Sequence, residues 1–180
     1  MEKKIAAEGD ASARFLKSSF YEQLVEHVFV AELLQEAWFR YKQNVEVLRS
    51  EVDNSGYDLL LECNQVLRHV QLKTSSADSK TAVQKVNSVL AEKPSGCVVW
   101  LVREEDEATC RMRLKYRFFG NAPNERLPSL ERFRVAKHTK GDAQGIKKLR
   151  PAIRVVPKSE FGEVAGIGEL LDKLFGLSGW

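Results

Sequence analysis

Cysteine is scarce: the chain holds three, Cys63, Cys97 and Cys110, widely spaced and odd in number. That pattern excludes a disulfide framework and a CxxC metal knuckle. Cys63 and Cys97 fall in apolar stretches and read as small core residues. Long hydrophobic runs are also absent. The longest, Cys97-Val98-Val99-Trp100-Leu101-Val102, is far short of the roughly 20 residues that a membrane-spanning helix needs. Residues 1–10 are charged and carry no apolar targeting segment, so the expectation is a cytoplasmic protein with no membrane partner. His27, His69 and His138 lack the mutual spacing of a zinc site. No lysine and Ser/Thr pair follows Gly162, Gly166 and Gly168, which excludes a phosphate-binding loop. The absence of a GxSxG elbow leaves acyl transfer without support. No internal repeat or low-complexity tract is present.

What is there describes one globular α/β chain. Its 180 residues suffice to bury a core, and 43% hydrophobic against 29% charged residues is the balance of a folded domain. The net charge of +3 does not by itself imply nucleic acid, but its distribution is uneven. Lys and Arg crowd residues 111–158, and much of the acid lies in residues 22–62 and 104–107.

Residues 1–17 read as a leader. From Ser19 to about Tyr41, the apolar residues Phe20, Leu24, Val28, Ala31, Leu34 and Trp38 recur at helical spacing and predict a long amphipathic helix. A strand is expected over Val45–Val52, with a turn at Asp53-Asn54-Ser55-Gly56 in which Glu51 and Asp53 are turn formers. A second strand over Tyr57–Cys63 leads through a tight turn at Asn64-Gln65 to a third, from Val66 or Arg68 to Thr74. Asp78 or Ser79 is positioned to cap a helix running to about Glu92, which Lys93-Pro94-Ser95-Gly96 stops. Gly96–Val102 is an apolar, β-branched run typical of a strand covered on both faces. A crossover of that kind suits a parallel pair, so the sheet is expected to be mixed. Arg111–Phe118 alternates strictly, with Arg111, Arg113, Lys115 and Arg117 on one face. Ile153–Val156 reads as a short strand and Ile167–Leu174 as a final helix.

The hairpin carries the chemistry. Alternation puts Asp58, Leu60 and Glu62 on one face of the second strand, and His69, Gln71 and Lys73 on one face of the third. A two-residue turn pairs Cys63 with Val66, so Leu60 faces His69 and Asp58 faces Gln71. Asp58, Gln71 and Lys73 therefore converge at the open end of the hairpin, while Tyr57, Leu59, Leu61, Val70 and Leu72 form an apolar face for the core. A hard cation such as magnesium takes oxygen ligands and keeps several waters, so one or two carboxylates suffice. A lysine beside it serves the attacking water or the charge building on a phosphate.

The stretch Ser55-Gly56-Tyr57-Asp58-Leu59-Leu60-Leu61-Glu62, followed by Val70-Gln71-Leu72-Lys73-Thr74-Ser75, resembles the PD-(D/E)XK nuclease superfamily in its variant with glutamine before the lysine. The resemblance implies a restriction-endonuclease-like core: a helix, a three-stranded meander, a crossover helix and a fourth strand. That core would occupy residues 18–102, with 103–180 a basic C-terminal extension packed on the same domain. It also implies a DNA endonuclease of restriction or repair type using Mg²⁺ (or Mn²⁺), with Asp58 and Gln71 as metal ligands and Lys73 as the catalytic lysine. The family often adds a glutamate from the first helix. Glu26 is the choice here, because Val30, Leu33 and Ala37 continue its row toward the buried face, with Glu22 one turn earlier as the backup. The resemblance further implies nucleic acid as partner, double-stranded DNA first, and allows a homodimer.

The same residues admit plainer readings. Asp58 and Lys73 also suit a cross-strand ion pair, and Glu62 a surface position. The Arg111, Arg113, Lys115, Arg117 stripe either follows a phosphate backbone or protects an edge strand. Lys137, His138, Lys140, Lys147, Lys148 and Arg150 make either a DNA-contacting loop or a solvated one. Because Gln71 replaces a carboxylate, the alternative to the enzyme is a nuclease-fold subunit that binds nucleic acid, or supports assembly, without turnover. The apolar end with Leu170, Leu171, Leu174, Phe175 and Trp180 serves either an interface or the chain's own core.

Overall fold

The computed structural model describes residues 18–50, 55–138, 145 and 147–177. The leader read over residues 1–17, the turn formers Glu51 and Asp53, and Lys140 and Trp180 lie outside the described residues.

Helix α1 (Ser18–Glu36) runs into a π-helical turn (Ala37–Tyr41), which Lys42 closes in the left-handed region at φ 56°. The helix buries Val25, Phe29, Leu33 and Ala37, none more than 1% exposed. This is not the expected row. Phe20 is 64% exposed and Trp38 54%, and Leu24 and Leu34 also face outward. The sequence offers two apolar rows on adjacent helix faces, and periodicity alone does not choose between them.

Strands β1 (Glu46–Arg49), β2 (Leu59–Cys63) and β3 (Val66–Ser76) form an antiparallel meander. Asn64 and Gln65 take φ values of 49° and 65°, the positive pair that a two-residue hairpin turn requires. The register is the expected one: Cys63 opposes Val66 and Leu60 opposes His69. Strand β4 (Val83–Asn87) and a 3-10 turn (Ser88–Glu92) lead to β5 (Gly96–Asp106), which pairs parallel with β3. Strand β6 (Arg111–Gly120) returns antiparallel to β5. After β7 (Val135–Lys137) and β8 (Leu149–Pro157), the short β9 (Gly162–Val164) adds to β6, and helix α2 (Ile167–Phe175) ends the described fold. The described fold is thus mixed α/β, with two α-helices, a mixed six-stranded sheet ordered β1-β2-β3-β5-β6-β9 and a three-stranded sheet ordered β4-β8-β7.

The crossover corrects an expectation. Where the sequence predicts a helix to about Glu92, β4 pairs with β8 from Val83↔Pro157 to Asn87↔Ile153. Ser79 Oγ accepts the Thr81 N–H at 3.1 Å, a local turn contact rather than a helix cap. Val83-Gln84-Lys85-Val86 alternates outward and inward, and β-branched residues favour the strand once a partner is present. Asn87 caps the 3-10 turn instead, its Oδ1 accepting from Val89 N at 3.1 Å. Gly96 is needed where the crossover closes, because a Cβ there would collide with the Leu90 carbonyl oxygen.

The large sheet is covered on both faces. Val99 and Leu101 of β5 join α1 and α2 residues such as Phe29, Leu33, Leu170 and Leu174 on one side. Val98 and Trp100 join Val86, Leu90, Val156 and Phe161 on the other. Tyr116 O–H donates to the Glu32 carboxylate, tying β6 to α1. Tyr57 departs from expectation: it precedes β2, where alternation does not yet hold, and packs on the second face against His69. Among the described residues no helix is long and apolar enough to cross a membrane.

Candidate active site

Strand β2 starts at Leu59, while β3 continues to Ser76 on the far side of that pairing. The sheet is therefore open beside Leu72 and the residues that follow it. Asp58 stands at the opening, one step beyond the last ladder pair, Leu59↔Val70. Its backbone is held on both sides. The Asp58 N–H donates to Val70 O at 2.9 Å, and its carbonyl accepts from Ser50 N at 3.0 Å. Its carboxylate completes the next rung, with Oδ2 accepting the Leu72 N–H at 2.6 Å. A charge-assisted bond of this kind orients the carboxylate.

Gln71 is 5% exposed, and its Oε1 accepts the Asn87 N–H at 3.2 Å, which fastens the end of β4 to β3. Lys73 lies two residues on and is half-buried, in register with Trp100 of β5. A cleft of about 530 Å³ joins these to α1, with Glu22, Glu26, Asp58, Gln71, Lys73 and Gln84 among its walls. The expected quartet of Asp58, Gln71, Lys73 and Glu26 thus meets in one cleft, with the backup Glu22 beside it. Glu26 is engaged there, its Oε1 lying 2.5 Å from Arg49 Nε. The sequence alone does not single out Gln84, because residues 79–92 carry helix signals. The signal was the polar residue at the inward phase of the Val83–Val86 alternation.

The remaining candidates lie elsewhere. Arg113 and Lys115 form cross-strand ion pairs with Asp106, at 4.0 Å, and with Glu104, and neither lines the cleft. Arg117 pairs with Glu163 of β9. Lys137 and Lys148 are exposed beside the pairing of β7 with β8, and Lys147 is exposed just before β8. Glu62 is exposed and lies outside the cleft.

His69 is not at the cleft. Its Nδ1–H donates to Pro94 O at 2.8 Å, and its ring packs against Tyr57 with centroids 4.9 Å apart. Burial lowers its pKa below the ordinary histidine value, against a raising contribution from the Pro94 carbonyl and with a further lowering by the Lys93 charge. Because the folded pKa lies below the unfolded one, the unfolded chain binds the extra proton first. Stability is therefore expected to fall as pH drops below about 6.5 and continue to fall through the folded pKa. Urea unfolding between pH 7.5 and 5 checks this. A His69→Gln variant that keeps the full dependence would overturn it.

The cleft's donor set is oxygen: Asp58, Gln71, Glu22 and Glu26, with no thiol or imidazole among them. That suits a hard divalent ion and excludes a soft-metal centre. Among the described residues no three His, Cys, Asp or Glu side chains are grouped to hold a metal. An ion here would take few carboxylates and retain water, as magnesium does. No family model, no curated protein and no solved structure matches the chain significantly.

Proposed function

We propose that this chain hydrolyses phosphodiester bonds in nucleic acid, double-stranded DNA first, using Mg²⁺ or Mn²⁺ at the open end of the β2–β3 hairpin. One observation carries the reading: acids of α1, the Asp58 carboxylate, the Gln71 amide and the Lys73 ammonium line a single cleft although they come from separate stretches of chain. Asp58 and Gln71 would hold the ion, with Glu22 or Glu26 completing its outer contacts. A bound ion of this type lowers the pKa of a water and offsets charge on the phosphate. Leu72 N–H keeps the Asp58 carboxylate in one orientation. Lys73 orients the attacking water and stabilises the charge that builds on the phosphoryl oxygens.

Two further features support it. The order of α1, the antiparallel meander β1-β2-β3 and the parallel β5 resembles that expected of a restriction-endonuclease-like core, and departs from it where a strand and 3-10 turn replace the crossover helix. The second sheet, which adjoins the cleft through β4, carries Lys85, Lys137, Arg150 and Arg154 and no Asp or Glu on its strands. Such a surface attracts a phosphate backbone.

A second reading is a nucleic-acid-binding or assembly subunit without turnover. The engagement of Gln71 Oε1 by Asn87 and of Glu26 by Arg49 favours it, since both oxygens already have partners. Incubating the purified chain with a DNA duplex and Mg²⁺ or Mn²⁺ separates the two. Cleavage supports the enzyme. Steeply salt-dependent binding, with neither cleavage nor calorimetric Mn²⁺ binding, supports the subunit. No binding at low salt removes both.

A further inference from the structure

Gln84 is a buried amide on the cleft wall, and packing does not account for it. The residue is 9% exposed, its Nε2 is covered, and that donor finds no acceptor among the described residues. A buried donor left unmade costs stability. Strand β4 does not need the amide to stay in place. It is paired with β8, where Gln84 opposes Val156, it buries Val86, and it is tied to β3 through Asn87 N–H and Gln71 Oε1. An apolar side chain at 84, facing Val156, would complete that layer without the orphaned group. The same side chain is one wall of the cleft that Asp58, Gln71 and Lys73 line.

We infer that Gln84 is a ligand-binding residue whose Nε2 donates to a non-bridging oxygen of a phosphodiester seated in the cleft. The identity of that ligand rests on the phosphodiesterase reading. The chemistry of the walls selects it. Asp58 and Glu22 present carboxylate oxygens, while Lys73 and Gln84 present N–H donors from β3 and β4. A group with several oxygen acceptors and one negative charge meets both donors at once. Glutamine supplies its bond without adding charge, so it orients the phosphate and leaves charge compensation to Lys73. The terminal torsion of a glutamine is broad, so the amide turns toward an acceptor at little cost. A strand of nucleic acid held at Gln84 would continue along β4 onto the basic second sheet.

The test uses the full chain and Gln84→Met, which keeps length and volume and removes the donor. Two quantities are read: the thermal midpoint, and the affinity for a fluorescently labelled DNA duplex with Ca²⁺ present to offset the Asp58 and Glu22 carboxylates. The expected result is an unchanged or higher midpoint with affinity reduced about tenfold. Gln84→Glu is expected to bind more weakly still, because a carboxylate repels the phosphate. Wild-type affinity in Gln84→Met overturns the inference, as does a lowered midpoint with affinity intact, which marks a structural amide. A wild-type chain that does not bind the duplex also overturns it. Cleavage by the wild-type chain reports separately on the parent reading. Duplex binding that depends on Gln84 without any cleavage keeps this inference and removes the enzyme. Equal binding and cleavage by wild type and Gln84→Met does the reverse.

Discussion

Replacing Lys73 with alanine is expected to lower metal-dependent DNA cleavage by about 100-fold or more while leaving the fold intact. The magnitude follows from what one positioned donor or acid–base group contributes to a transition state, roughly 10²–10³ in rate. The fold should survive because Lys73 is only half-buried and its strand is held by β5 from His69 to Ser76, with β2 securing it up to Val70. Two controls make the result specific. Circular dichroism and the thermal midpoint should match those of the wild-type chain. Duplex affinity should fall less than the rate, since on the proposed reading the ammonium meets the phosphate on binding and acts further as charge develops. Cleavage at the wild-type rate by Lys73→Ala would remove the catalytic role. Rate and affinity falling together would make Lys73 a binding contact.

On the proposed reading Asp58 has two duties, and two substitutions separate them. Asp58→Asn retains a side-chain oxygen able to accept the Leu72 N–H, which Asp58 Oδ2 now takes at 2.6 Å. The sheet edge should hold, and the loss should be chemical: calorimetric Mn²⁺ binding disappears and cleavage drops about 100-fold, the scale seen when one charge-stabilising group is lost. Asp58→Ala loses the same chemistry and also leaves the Leu72 N–H without its acceptor. That should cost about 1–3 kcal/mol of stability, read by urea unfolding. The order of the two variants decides the matter. If Asp58→Asn is as active as the wild-type chain, the carboxylate is a strand cap and nothing more. If both variants bind Mn²⁺ normally, the ion lies elsewhere.

The hairpin was legible because its information is local. Two residues set the turn, alternation sets the faces, and a register counted outward from Asn64-Gln65 places Asp58 beside Gln71 without reference to the rest of the chain. The β5 run was legible for a related reason: six successive apolar residues leave no face for water. Gln84 was not legible, because its element is a strand only in the presence of β8, whose residues follow some 70 positions later. Glu26 was legible as a neighbour of the buried row. Its Arg49 partner was not, because that pair joins α1 to β1 across a turn in the fold.

By itself the sequence determined the meander, its register and the convergence of Asp58, Gln71 and Lys73, all through spacing within short windows. Tertiary structure alone decided which apolar row of α1 turns inward and that residues 83–87 extend as a strand. The physical reason is the same in each case. Two local arrangements lie close in free energy, and a partner distant in sequence, invisible to periodicity, tips the balance.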